Sequence, residues 1–178
     1  MSHIWAEGAL TAAMTYMEDG TTGINATLAT IRTEKSLSAG ELPDIALFEK
    51  WYHRASQATS FPYLSMVIST SSGEDEVNTR AYDHLIEIAV VVPEHEVTPE
   101  TGNNQEQAMA LTAVRYGDAI KRVFNRRIPQ GSQGWTLAGS AQITRAEAGL
   151  TAHGIDPELN VPNRAFITPL IVRTTEDF

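Results

Sequence analysis

One stretch limits the architecture more than any other: Ala81 to Val92, AYDHLIEIAVVV. Tyr82, His84, Ile86, Ile88, Val90 and Val92 occupy the even positions, and Asp83 and Glu87 fall on the odd ones. A period of two sends alternate side chains to opposite faces, so this is a long strand with one apolar and one mixed face. Pro93, which has no ladder donor, closes it. Such a strand needs neighbours, and the flanking sequence is expected to supply them. Tyr63 to Thr70 alternates as a second strand, with Phe61 held extended by Pro62. Ser71 to Glu76 (SSGEDE) reads as the turn of an antiparallel hairpin.

Helices bracket this hairpin. Ile4, Ala6, Leu10, Ala13, Met14 and Met17 recur at three- and four-residue spacing, which predicts an amphipathic helix over about 3–18, with Ser2 a candidate cap and Gly20 a stop. Ile24, Leu28 and Ile31 repeat the spacing in a shorter segment whose threonines are poor helix formers. Thr33 to Gly40 is polar and reads as loop. Leu42 to Gln57 fits helix or irregular loop, and its Trp51 and Tyr52 would equally suit extended chain. Glu94 to Asn104 reads as a solvent-facing loop. Gln105 to Arg126 then places Met109, Ala113, Tyr116, Ile120 and Val123 or Phe124 on one stripe, with acid early and base late as the helix dipole favours. Gly134 to Arg145 alternates as a third strand. Arg164 to Thr174 is a fourth, and Pro169 within it implies an edge or a bulge. The expected fold class is therefore α+β: one domain over 1–178, with a small, mostly antiparallel or mixed sheet of about four strands against helices, and longer loops at about 33–60 and 146–163.

Composition narrows the function classes. The chain has 178 residues, 42% hydrophobic and 20% charged, as in ordinary globular proteins. It contains no cysteine, so disulfides and thiolate metal sites are excluded. No apolar run reaches membrane-spanning length, and MSHIWAEGAL is not a secretion signal, so the chain is expected to stay in the compartment where it is made. P-loop, GxGxxG and nucleophile-elbow patterns are missing; Gly131-Ser132-Gln133-Gly134 precedes a strand and reads as a turn. On a strand, His84 and Glu87 point to opposite faces and cannot share a metal. Glu94-His95-Glu96 lacks the further ligands a cation site needs. Trp5, Trp51 and Trp135 read as core or interface anchors.

Charge is unevenly placed. The net charge is -9. Residues 74–106 carry nine acids against Arg80, whereas 115–145 carry six bases against Asp118. Opposite blocks on one chain suit head-to-tail contacts between copies, which close into rings; solvated faces are the alternative. Asp83, Glu87, Lys121, Arg122, Arg126 and Arg127 are the candidate subunit-interface or channel residues. The acidic balance, with a sequence pI near 4.9, disfavours tight DNA binding but suits a channel through which DNA slides.

The helix Ile4 to Met17, the proline-led strand Phe61 to Ile68, the acidic hairpin turn, the strand Tyr82 to Val92, the helix Gln105 to Arg126 and two late strands form an ordered pattern. In that order the chain resembles the tail terminator (tail completion) proteins of tailed bacteriophages, and more loosely the neighbouring neck proteins. The resemblance implies a non-enzymatic subunit of a hexameric ring that caps the tail tube, stops its polymerisation and joins tail to neck. It implies no cofactor and no membrane. Its implied partners are further copies of itself, the tail tube protein, a neck or head-completion protein, a sheath protein as a further contact, and genome DNA passing through the lumen unbound. Its implied location is the virion tail or neck, after synthesis in the host cytoplasm. The extra chain at 36–60 and 147–163 departs from the family pattern. Two alternatives stand beside it: a head-completion connector ring, of twelve copies on a portal, and a small cytoplasmic enzyme or ligand-binding α+β domain with a pocket between sheet and helix. On the charge-block reading, reversing the charge of both Arg126 and Arg127 weakens self-assembly in light scattering and leaves the circular dichroism spectrum unchanged; unchanged assembly removes that reading.

Overall fold

The computed structural model describes residues 2–50, 58–75, 79–125, 135–136, 142–148, 152–155 and 163–177. Helices α1 (Ser2–Glu18) and α2 (Ile24–Lys35) come first, then strands β1 (Leu47–Lys50), β2 (Tyr63–Asp75) and β3 (Thr79–Pro93). Helix α3 (Gln105–Asn125) follows, then β4 (Trp135–Thr136), β5 (Gln142–Ala148), β6 (Ala152–Ile155) and β7 (Asn163–Asp177). The strands form one mixed sheet in the order β1-β2-β3-β7-β5-β4, with β6 also paired to β7. The α+β class is as expected, and the four anticipated strands form its centre.

Strand β3 is the middle of that sheet. It pairs antiparallel with β2 from Tyr63↔Val91 to Asp75↔Arg80, and with β7 from Thr79↔Asp177 to Pro93↔Asn163. Its even side chains His84, Ile86, Ile88, Val90 and Val92 are fully buried. The four aliphatic ones join one core with Leu10, Met14 and Met17 of α1, Leu28 and Ile31 of α2, and Met109, Tyr116, Ile120 and Phe124 of α3. Each buried aliphatic side chain contributes roughly 1.5 to 3 kcal/mol. A one-residue slip of β3 would exchange that whole set for Asp83, Leu85 and Glu87, which fixes the register.

Several expectations are corrected. The Ser71–Asp75 segment, read as a turn, continues β2, because pairing with β3 persists and the Tyr82 ring lies over Gly73, its cross-strand partner. A Cβ on Gly73 would fall 2.1 Å from Tyr82 Cδ1. Strand β7 is not an edge: β3 pairs all fifteen residues on one side, and β5 and β6 lie on the other. Pro169 is tolerated because Ala148 pairs with Leu170 and Ala152 with Ile167, so the proline has no partner among the described residues of that neighbour. The single strand expected over Gly134 to Arg145 is instead two, β4 and β5, paired antiparallel as Trp135↔Ile143 and Thr136↔Gln142. Continued alternation across 134–145 hid the division. The stretch read as helix or loop at Leu42–Gln57 contains β1, parallel to β2. The loop expected over 146–163 contains the end of β5 and all of β6. Trp51, Gly131–Gly134, Arg126 and Arg127 lie outside the described residues, as do the side chains of Trp5 and Trp135.

Helix α2 extends to Lys35, past the loop start expected at Thr33. Its threonines are accommodated because the Thr27, Thr30 and Thr33 hydroxyls donate to the carbonyls of Gly23, Ala26 and Ala29 four residues back, at 2.9, 3.1 and 3.0 Å. The turn that feeds α2 is tight. The Asp19 carboxylate accepts from the Thr21 and Thr22 amides, and Gly23 N donates to Asp19 O at 2.7 Å. A Cβ on Gly23 would lie 2.4 Å from the carbonyl oxygens of both Met17 and Asp19, whereas one on Gly20 meets nothing within 4 Å. Gly23→Ala should therefore destabilise the fold by about 2 kcal/mol or more, with Gly20→Ala near neutral; urea unfolding of the two variants beside the parent reads the difference.

Candidate functional site: the two faces of the sheet

The described helices pack on one side of the sheet, joining the core through the even face of β3. The opposite side is covered at one end, where Tyr63 and Val91 are buried with Leu47, Phe61 and Ala165 packed against them; beyond that end the described residues leave it open. It presents Asp83, Leu85, Glu87 and Ala89 of β3, with Ile167, Pro169, Ile171 and Arg173 of β7 beside them in register. Ile167 and Ile171 are 39% and 41% exposed, high for isoleucine in a central strand. Glu87, cross-strand from Pro169 and Val67, stands half-buried within this apolar field. Asp83, half-exposed, lies 3.9 Å from Arg173 Nη1. Toward this end Ser72, Gly73, Ala81, Asp83 and Arg173 line a polar depression of about 400 Å³. It lies on the open face and not between sheet and helices, where a ligand-binding reading expects its pocket; Met109, Tyr116 and Phe166 fill that space.

The outer surface of the helix layer carries a second apolar patch. Helix α3 is set by a reciprocal cap: Gln107 N donates to Asn104 Oδ1 at 2.9 Å, and Asn104 N donates to Gln107 Oε1 at 3.0 Å. With its Met109–Ala113–Tyr116–Ile120 stripe buried, the helix turns Leu111 and Val114 outward, 37% and 68% exposed. Lys121, half-buried, lies on the same outward stripe.

The structure thus sorts the candidate residues. Asp83 and Glu87 share the open sheet face; Lys121 and Arg122 belong to the helix on the other side. Arg122 is tied internally, with Nη1 2.8 Å from Glu34 Oε2 and Nη2 2.9 Å from Asp118 Oδ2. Arg115, from the same basic block, is buried and sits 2.7 Å from Glu100 Oε1. Glu94, from the acidic block, pairs with Arg164 at 2.8 Å. Part of the charge asymmetry is therefore cancelled within the subunit. The missed signal was α2: Glu34 had no place in a segment read as loop.

The loop Glu94–Asn104 is less solvent-facing than expected. Glu94–Glu96 forms a 3-10 turn, Val97 is buried, and the Gln105 amide donates to the carbonyls of Glu94 and Val97. Among the described residues, no group of three or more His, Cys, Asp or Glu is placed to hold a metal ion, and no helix is long and apolar enough to cross a membrane.

His84 is the one titratable group of β3 buried under the helix layer. Ser71 Oγ lies 2.9 Å from its Nδ1 and Thr174 Oγ1 lies 3.0 Å from its Nε2, so the imidazole links β2, β3 and β7. Thr174 Oγ1 also reaches Tyr82 O at 3.4 Å. A consistent assignment has Ser71 donating to Nδ1, Nε2–H donating to Thr174, and Thr174 donating to Tyr82 O. Sequence periodicity placed His84 on the apolar face but not its partners, which come from strands thirteen residues before and ninety after.

No protein-family model matches the chain, and no curated protein matches it. Among solved structures it is similar to a chain described as "Virion of native gene transfer agent (GTA) particle", with 11% identity, a TM-score of 0.49, and 94% of this chain and 97% of that chain covered. At that identity and score the likeness does not extend to function.

Burial pushes the His84 imidazole below its ordinary value of 6.5, opposed by the adjacent Asp83 carboxylate. The unfolded chain then binds the proton more readily. The stabilisation from neutral His84 is complete above about pH 6.5 and is lost as pH falls through that value toward the lower folded one. His84→Gln removes this component, so the urea midpoint of the parent should fall more steeply than that of the variant between pH 7.5 and 5; parallel curves would contradict the assignment.

Proposed function

We propose that this chain is a structural protein of a phage-like virion, and within that class a tail terminator: a subunit that closes head-to-tail into a ring, caps the tail tube, stops its polymerisation and offers the opposite surface to the neck. The observation that carries this reading is the two-sided character of the subunit. One side presents exposed Ile167 and Ile171 around an acid, the other exposed Leu111 and Val114 beside a base. Two different, mutually complementary patches on opposite sides favour heterologous association, which closes into rings when the rotation permits, over a two-fold dimer that uses one patch twice. The succession α1, β2, β3, α3 follows the terminator resemblance, although β1 and the four late strands go beyond it, and the structure has the α+β class which that resemblance implies. Ring contacts, tube, neck and sheath partners, and a DNA-conducting lumen belong to this proposal.

Light scattering of the purified chain, alone and with tube protein, tests it. A hexamer, or a monomer that joins only to the end of preformed tubes and halts their growth, supports a terminator. Twelve copies moves the assignment to a portal-side connector. A chain that stays monomeric and leaves tube growth unaffected overturns both.

A further inference from the structure

We infer that the ring contact is made by the outer stripe of α3 on one copy lying across the open sheet face of the next, with Lys121 directed at Glu87. The inference rests on the ring reading above and adds the surfaces. On α3, Val114 and Lys121 are two turns apart, about 10 Å along the axis. On the sheet, Leu85↔Ile171 and Glu87↔Pro169 are adjacent pairs two residues apart, which puts the Glu87 and Ile171 positions about 8 Å apart. The spacing between apolar anchor and charge is therefore matched on the two faces, within the reach of a lysine side chain. A helix presenting Leu111 and Val114 as a ridge meets the exposed isoleucines of β7, an interior strand of the sheet.

Charge selects this occupant. Arg122 and Asp118 on the helix face are engaged with each other and with Glu34, and Asp83 on the sheet face stands near Arg173. Among the described residues, no ion pair engages Lys121 or Glu87. These two carry opposite sign on opposite sides of the same subunit, so every copy offers what the next one lacks. Two sheet faces brought together with Glu87 at the two-fold axis would oppose Glu87 to Glu87, and two helix faces centred on Lys121 would oppose Lys121 to Lys121. Like charges in an apolar contact disfavour both two-fold arrangements.

The test is a charge exchange in the full chain. Glu87→Lys and Lys121→Glu, each alone, should raise the protein concentration needed for ring assembly about tenfold or more. The double variant, which restores the opposite-sign pair between neighbours, should return it to within about threefold of the parent. Circular dichroism of all three should match the parent. A second pair guards against a weak contribution from charge: Val114→Asp and Ile171→Asp should each be monomeric, and their equimolar mixture should give dimers, since only one intact helix face and one intact sheet face remain. Single variants that assemble like the parent overturn this interface and leave the ring reading standing. A double variant no better than the singles, or a mixture that stays monomeric, also overturns it. A parent chain that forms no ring at any concentration, alone or with tube protein, overturns the ring reading itself.

Discussion

The rest of the structure depends on the pairing of β3 along both of its edges. A strand of fifteen residues bonded on each side is held in register with β7 along its whole length, and with β2 apart from one bulge between Ile68 and Thr70. One of its faces is dry, so its parity is fixed as well. Helices α1 and α3 can then occupy only the side where Ile86, Ile88, Val90 and Val92 emerge. The hairpin partner β2 takes its parity from β3 as far as Ile68, where a bulge exchanges its faces, and β7 inherits it from the other edge without interruption. Even the open face follows, because helices gathered on one side leave the opposite one to be covered by something else or by nothing.

Connections between these elements are held by side chains standing in for backbone. The Asn25 amide donates to Ile45 O at 3.0 Å and accepts from Ile45 N at 2.8 Å, as a paired strand residue would. Arg32 donates to Leu42 O and to both oxygens of Asp44. Tyr116, wholly buried in α3 and stacked 6.0 Å from Phe166, donates its hydroxyl to Pro43 O at 2.7 Å. Burial, reinforced by the Asp44 carboxylate and opposed by Arg32, keeps the phenol protonated far above its ordinary value. The segment 42–46 therefore arrives at β1 with backbone groups of Leu42, Pro43 and Ile45 satisfied from two helices.

What the sequence disclosed depended on whether the signal was local. The stripes of α1 and α3 and the alternation of β3 are periodic over ten or more residues, and burial follows them from Ala6 to Met17, from Met109 to Phe124 and from Asp83 to Val90. Strand β1 is four residues long and is specified by Asn25 and Pro62, twenty residues before and fifteen after its neighbourhood; periodicity over four residues cannot carry that. Pro169 is a local warning that tertiary context overrides, since its missing donor falls where the neighbouring ladder is interrupted. The turn formers Ser71–Asp75 were overridden in the same way, by continued pairing and by the Tyr82 ring over Gly73. For the candidate site, parity was legible and put Asp83 and Glu87 on one face. Partners were not: nothing in linear order reveals that Arg122 meets Glu34, eighty-eight residues earlier, and so leaves the exposed charge of that face to its neighbours.

This cancellation changes what the charge blocks mean. A run of nine acids and a run of six bases suggest two large fields, but a field only acts outward if its charges are not already matched at contact distance. Arg115 and Arg122 are matched, and so are Glu94 and Glu100. What remains on the described surface is sparse: single charges set among exposed aliphatic side chains. Long-range steering between such surfaces is weak and screened beyond about 10 Å in ordinary salt. Orientation must then come from shape and from whether each isolated charge meets its opposite at contact. That is a demand for register more than for attraction.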